Sequence, residues 1–418
     1  MRWLFDHLRR FRRDQRGNIA ITFAIACVPL LAFIGAGVDY SMANRLRTKL
    51  QMAVDEAVLA GVAAGKAALD SGANQSAAIA KANAAASAFF SGNTEGMSAT
   101  PTLTFTVSGR KLSGVGSASS AMNTSFMRIA GLPTMQLSAQ SKSSATMQPY
   151  MNVYLLVDIS SSMLLPATQA GITQMNNGTG CTLACHDTTD GTDSYSYALK
   201  NNVLLRYQVV NQGVQNLLTY LNGSSVYKTY VKVGLWSFDN QLTQMSPLTS
   251  NFTSVGNNFP APGLAYNDAA AATPFDSLID SFVSTVGTGG DGSTSASPMK
   301  MVIIATDGVN DPTRAWTSQT SLRSQVRVFN TGFCTTLTRN SVTIAIINTP
   351  YYPMPWDWGY KATLGQPGSL GGATRVDDIP IALKACAGDN FLAASDVATI
   401  QNSFTYLFNK AAPVRLTN

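Results

Sequence analysis

Residues 153–163 read Val-Tyr-Leu-Leu-Val-Asp-Ile-Ser-Ser-Ser-Met. Val153 to Val157 is an unbroken apolar run, the pattern of a strand covered by helices on both faces. Asp158, Ser160 and Ser162 follow at its carboxyl end. Strand-like runs of the same kind recur at Val231 to Phe238, Met301 to Ala305 and Val342 to Ile347. Between them Val203, Tyr207, Val210, Val214, Leu217, Leu218 and Leu221 mark one face of a helix, and Val397 to Lys410 fits a last one. Strands alternating with helices predict an α/β fold, a doubly wound and mostly parallel sheet. Ligands of such sheets sit at the carboxyl ends of the strands.

Two further oxygen-rich stretches belong at that rim. Thr306-Asp307-Gly308 follows the Met301 to Ala305 strand, and Thr273-Pro274 lies in the segment before it. Asp158, Ser160, Ser162, Thr273 and Asp307 together offer carboxylates and hydroxyls with no Cys or His. That donor set suits a hard divalent cation, Mg²⁺ first, with Mn²⁺ or Ca²⁺ as alternatives. Neutral hydroxyls leave much of the cation's charge uncompensated, so an acidic group from a partner can complete the shell. These five residues in their strand contexts resemble the metal-ion-dependent adhesion site of the von Willebrand factor A domain. The resemblance covers roughly residues 150–411. It implies that the two serines and the threonine contact metal directly, and the aspartates directly or through water.

The 418 residues are 45% hydrophobic and 12% charged, which excludes a disordered chain, and two histidines leave little scope for a histidine-rich zinc hydrolase. The net charge of +6 is unevenly placed. Residues 1–17 hold six arginines against Asp6 and Asp14, so the basic charge is a tip and not the folded face of a nucleic-acid binder. Ile19 to Val38 then runs without a charge, about the ~20 residues that cross a bilayer. Arginines on its N-terminal side predict a single-pass inner-membrane protein with the N-terminus cytoplasmic and the rest periplasmic. Beyond Asp39 a helix continues, with Leu46, Leu50, Val54, Ala57, Gly61 and Ala64 as a stripe for either the chain's own ectodomain or a partner helix. Residues 66–90 read as helical, Gly92, Gly96 and Pro101 as a break, and Leu103, Phe105 and Val107 as a half-buried strand. Strand-like stretches follow at Val115 to Ala121 and Met135 to Ala145. The expected organisation is a basic tip (1–18), a transmembrane helix (19–38), a stalk with a small α+β module (39–149) and the A-like domain (150–418).

Asp14-Gln15-Arg16-Gly17-Asn18-Ile19-Ala20-Ile21, the span, and Gly37-Val38-Asp39-Tyr40 are similar to the N-terminus of TadE/TadG-like proteins of the Tad (Flp) pilus-assembly system. Joined to a C-terminal A domain, the arrangement resembles the TadG type. Pseudopilins of that system carry glutamate five residues after the processing glycine; Thr22 stands there in this chain, which argues against cleavage after Gly17.

Cys27 falls within the span as a free thiol. Cys181, Cys185, Cys334 and Cys386 are disulfide candidates in an oxidising compartment, with three possible connectivities. A metal site at Cys181, Cys185 and His186 is an alternative. The polar insertion from Gly171 to Ser194 is expected to frame the metal loop. The cluster Tyr351, Tyr352, Trp356, Trp358 and Tyr360 reads as a packed loop or a docking surface. Gly287 to Gly292 lacks the Gly-Lys-Ser/Thr of a phosphate loop, and Ser297-x-x-Lys300 lacks the companion motifs of penicillin-binding enzymes. No nucleophile, base and stabiliser set is legible, so the expectation is a non-enzymatic anchoring component of an adhesive Tad pilus apparatus. It would bind an acidic group of another pilus-assembly protein or a surface ligand through the metal. The alternatives are a stand-alone adhesin and a chelatase-like regulatory subunit of an ATPase complex.

Overall fold

The computed structural model describes residues 17–180, 182–183, 194–261, 272–313, 318–394 and 396–411. The chain divides between Met147 and Gln148 into two units. The first is built on a single helix, Gly17–Asp70, which carries the apolar run and the amphipathic stretch without a break, Pro29 included. Its N-terminal part is apolar and uncovered: Ile19 is 75% and Phe33 79% exposed. With a mean hydropathy of 2.3 over its most apolar 18 residues, this segment has the composition of a membrane anchor.

Beyond the anchor, the helix changes character because its environment does. Leu50, Val54 and Ala57 are fully buried, in one core with Ala78, Ala82 and Phe90 of helix Gln75–Asn93 and with Phe105, Leu112 and Leu137 of a sheet. The stripe therefore packs on the chain's own module, which decides between the two partners expected for it. Gly72 at φ 91° and the Asn74 cap, accepting from Ala77 N, turn the chain between the two helices. The sheet is antiparallel, order β1 (Ala99–Ser108), β2 (Lys111–Asn123), β3 (Thr134–Thr146). Pro101, read as part of a break, instead lies inside β1, an edge strand where a missing N–H is tolerated. Gly61 sits where helix, helix and sheet meet. A Cβ there would stand 2.2 Å from Phe105 Cζ and 3.0 Å from Ala82 O.

The second unit holds a six-stranded sheet. β4 (Met151–Asp158), β5 (Val231–Phe238), β7 (Met299–Thr306), β10 (Val342–Asn348) and β11 (Phe391–Ala393) run parallel, and β6 (Leu242–Thr249) closes one edge antiparallel to β5. A two-stranded ribbon, β8 (Val309–Asn310) with β9 (Arg327–Val328), lies outside it. The order β11-β10-β7-β4-β5-β6 starts in the middle, runs to one edge and returns to the other. The switch point is thus between β4 and β7. This is a doubly wound, mostly parallel α/β fold.

The unbroken apolar runs follow from double coverage. Tyr154, Leu156, Trp236, Val302 and Ile304 point into one core with Phe275, Phe282, Phe333 and Ile379. Val153, Leu155, Val157, Leu235 and Ile303 point into the other with Val210, Val214, Phe404 and Phe408. The helix predicted from Val203 begins at Arg206 and ends at Asn222, and the last helix spans Val397–Ala411. β6 had no apolar run to reveal it, and its Pro247 is tolerated because the strand is an edge.

Gly61→Val is expected to destabilise the first unit by ~1–3 kcal/mol, since Phe105 and the Ala82 carbonyl cannot both retreat. Chemical denaturation followed at that unit checks it. An unchanged midpoint would mean the three-way contact is looser than described.

Candidate functional site

β4 and β7 are neighbours in register, Val157 beside Ala305, so Asp158 and the Thr306–Asp307 pair emerge side by side at the sheet's carboxyl edge. After Asp158 the chain turns sharply. Ser160 N donates to Asp158 Oδ1 at 3.0 Å and Ser160 Oγ donates to the same oxygen at 2.6 Å. Ser160 Oγ lies 2.9 Å from Ser162 Oγ, so the Asp-x-Ser-x-Ser spacing places both hydroxyls beside the carboxylate. Asp158 Oδ2 accepts from Thr306 Oγ1 at 2.7 Å, which ties β4 to β7. Thr306 Oγ1 also accepts from Gly308 N at 2.9 Å, and Val309 N donates to Asp307 Oδ1 at 3.1 Å. Asn348, ending β10, holds the Thr306 and Asp307 carbonyls from the other side. Gly308 adopts φ 85°, a conformation that side chains disfavour, and lets this turn form.

Thr273 reaches the same loop through its backbone, bridged to Asp311 by Thr273 N→O at 2.6 Å and Asp311 N→O at 2.9 Å. Asp158, Ser160, Ser162 and Asp307 are thus one hydrogen-bonded and electrostatically linked group. Thr273 is attached through the segment that follows Asp307, and its side chain has no hydrogen bond to the other four among the described contacts.

Burial sets the electrostatics. Asp158 and Asp307 are each 1% exposed. Desolvation, and then the neighbouring Asp307 charge, push the Asp158 carboxyl up to about 7, against the smaller opposing pull of bonds from Ser160 and Thr306. Asp307 Oδ2 is buried and accepts no hydrogen bond among the described residues. Its charged neighbour is Arg206, also 1% exposed, whose Nη1 lies 3.6 Å away. Arg206 is fixed by Pro350 O at 2.7 Å from Nη2 and by Ser162 O at 3.4 Å from Nη1, and it stacks 4.4 Å over the Tyr351 ring. Burial and then Asp307 hold the Tyr351 hydroxyl well above its ordinary range.

Arg206 has no place among the residues expected at the site, and Thr306, quoted beside Asp307, has no role there until the structure shows its bond to Asp158. Arg206 had one legible signal: it shares the register of Val210, Val214, Leu217 and Leu221 on the buried face of its helix. A charge on such a face needs a partner, but Asp307 lies too far along the chain for spacing to identify it. Tyr351 and Tyr360 are buried parts of the aromatic loop, whereas Trp356 and Trp358 are exposed. The first part of the polar insertion is a helix, Gln169–Thr179, capped by Thr168. Cys181, Cys185 and His186 lie outside the described residues. Cys334 and Cys386 form a disulfide, joining helices Gly332–Arg339 and Arg375–Ala387.

With Asp158 ionised, the two buried carboxylates outweigh the one guanidinium by a single negative charge, and an oxygen without a hydrogen bond among the described residues and two hydroxyls adjoin them. That donor set fits a hard divalent cation.

Residues 17–88 match the family model "Tad: Putative Flp pilus-assembly TadE/G-like". No curated protein matches the chain in sequence. Among solved structures, proximal thread matrix protein 1 from the mussel byssus is 13% identical, over 64% of this chain and 49% of its own, with a TM-score of 0.35. The pilus adhesin SpaC from Lactobacillus rhamnosus GG is 10% identical, over 75% of this chain and 33% of its own, TM-score 0.37. For these two the match spans less than two thirds of the other chain. The vWF domain of the type V pili tip protein Mfa5 from Porphyromonas gingivalis is 12% identical, over 64% of this chain and 96% of its own, TM-score 0.34.

Because the Asp158 carboxyl titrates higher folded than the ordinary 3.8, its protonation stabilises the fold below that ordinary value. The contribution fades as pH rises through about 7. In chelator-treated protein, melting temperature is expected to fall between pH 5 and pH 8 by more than in Asp158→Asn. Parallel profiles for the two proteins would contradict the assignment.

Proposed function

We propose that this chain, a TadE/G-like membrane segment carrying a von Willebrand A-type domain, is an anchoring component of a Tad-type pilus apparatus that captures an acidic group through a divalent cation. The observation that carries the reading is the pair of buried carboxylates, Asp158 and Asp307, with Asp307 Oδ2 accepting no hydrogen bond among the described residues. Ser160, Ser162 and Thr273 would hold the ion through their hydroxyls, and Asp158 and Asp307 directly or through water. When bound, the cation supplies a positive centre with one position open to a carboxylate from outside.

The chain's own residues do the rest. Ser160 Oγ donates its hydrogen bond to Asp158, which leaves the lone pairs of the serine oxygen for the pocket. Thr306 fixes the orientation of Asp158. Arg206 offsets one carboxylate charge, so the site carries less negative charge than its two aspartates alone would give. Mg²⁺ is the preferred ion because all the donors are oxygen. The pilus context rests on the family match over residues 17–88, and the role is structural, with no reaction assigned. The arginine excess before the span favours a cytoplasmic N-terminus and a periplasmic domain. The partner is another pilus-assembly protein or a surface ligand with an exposed carboxylate.

One observation favours a second reading: Arg206 is already a buried cation beside Asp307, and the domain would then work without a metal. Magnesium separates the two. On the first reading it raises the melting temperature of the wild-type protein at pH 7.5, and Asp158→Ala or Thr273→Ala abolishes the rise. No shift in the wild type would favour the arginine alone. Loss of either Arg206 or Asp307 leaves the other buried without its partner, at a cost of ~3–5 kcal/mol. Arg206→Met is therefore expected to unfold at markedly lower denaturant, and magnesium to recover part of the loss on the first reading only.

A further inference from the structure

Asp39 is the first charged residue after the apolar run, and it is 1% exposed. Among the described residues no cation pairs with its carboxylate. It accepts three backbone N–H groups from the loop between β2 and β3: Ser125 N at 2.9 Å to Oδ1, Phe126 N at 2.8 Å and Met127 N at 2.7 Å to Oδ2. Such charge-assisted bonds hold the loop firmly to the helix. The loop then reaches back along the apolar run. Phe126 packs on Gly35 so closely that a Cβ at Gly35 would stand 2.4 Å from Phe126 Cβ. Gly35 lies four residues before Asp39, about 6 Å along the axis at ~1.5 Å per residue. If Ile19 to Val38 crosses the bilayer, Phe126 is at the depth of its last turn.

The rest of the loop has the composition of that depth. Phe126 is 49%, Ile129 85% and Leu132 53% exposed, three large apolar side chains within seven residues. Arg128 is exposed among them. Residues 124–133 contain Arg128 and no acidic residue, a charge that suits lipid phosphates. Apolar side chains with an adjoining basic one are what an interfacial membrane contact requires.

We propose that the β2–β3 loop, residues 124–133, is a second membrane contact, seated in the lipid interface beside the emerging helix and locked there by Asp39. The occupant of this apolar surface is lipid, because the loop is continuous with the uncovered face of the span. The proposal rests on the membrane anchor and is independent of the metal site. It gives the first unit a fixed attitude on the bilayer, which a single helix crossing would leave free to rotate.

The test uses the full chain with Cys27→Ser, reconstituted in phosphatidylcholine and phosphatidylglycerol vesicles containing doxyl-labelled lipid. An NBD fluorophore is attached at Ile129→Cys, at Ile25→Cys in the span, or at Ser138→Cys on the exposed face of β3, with the Cys27→Ser parent as background. Emission from 129 is expected to be quenched as from 25, whereas emission from 138 is not. Asp39→Ala is expected to relieve the quenching at 129 and leave it at 25. Quenching at 25 with none at 129 would overturn the proposal and leave the anchor standing, and a blue-shifted, unquenched 129 would assign the loop to a protein partner. Absence of quenching at both positions would remove the anchor and the proposal together.

Discussion

Two carboxylates are kept out of water at the point where β4 and β7 end, and much of the second unit is arranged around that cost. A buried carboxylate is tolerable only when bonded, neutralised or paired. Asp158 meets this by accepting from Ser160 and Thr306 and by a raised proton affinity. Asp307 meets it in part, through Val309 N and a guanidinium that is itself buried. Oδ2, the oxygen beside that guanidinium, accepts no hydrogen bond among the described residues. The sheet topology is what brings these groups together, because strands leaving the middle of the sheet in opposite directions open a crevice at their carboxyl ends.

Arg206 gives the site a character that its five predicted residues do not. It touches the carbonyl of Ser162, the carboxylate of Asp307, the carbonyl of Pro350 and the face of Tyr351. The loop after β4, the loop after β7 and the loop after β10 are therefore held by a single side chain.

The apolar runs of β4, β5, β7 and β10 were legible in the sequence because strands buried on both faces leave a continuous signature. So were Asp158, Ser160 and Ser162, whose spacing places their side chains at one turn. β6 was not, since an edge strand half in solvent carries no such run. The fate of the stripe on helix Gly17–Asp70 was also closed to the sequence. Periodicity shows that a face is buried and is silent on what covers it; Phe105, Ala82 and Leu112 do. The Arg206–Asp307 pair joins residues from distant parts of the chain, and no local pattern announces such a contact. The same holds for Asp39, whose partners lie in a loop between two later strands.

The central claim is that a cation sits among Ser160, Ser162, Thr273, Asp158 and Asp307. It is tested most directly by crystals of the second unit grown with Mn²⁺ and measured at the manganese absorption edge. The account predicts an anomalous peak within direct bonding distance of the Ser160 and Ser162 hydroxyls, with Arg206 still on Asp307. A pocket without anomalous density, filled by the Arg206 guanidinium bridging both carboxylates, would contradict it.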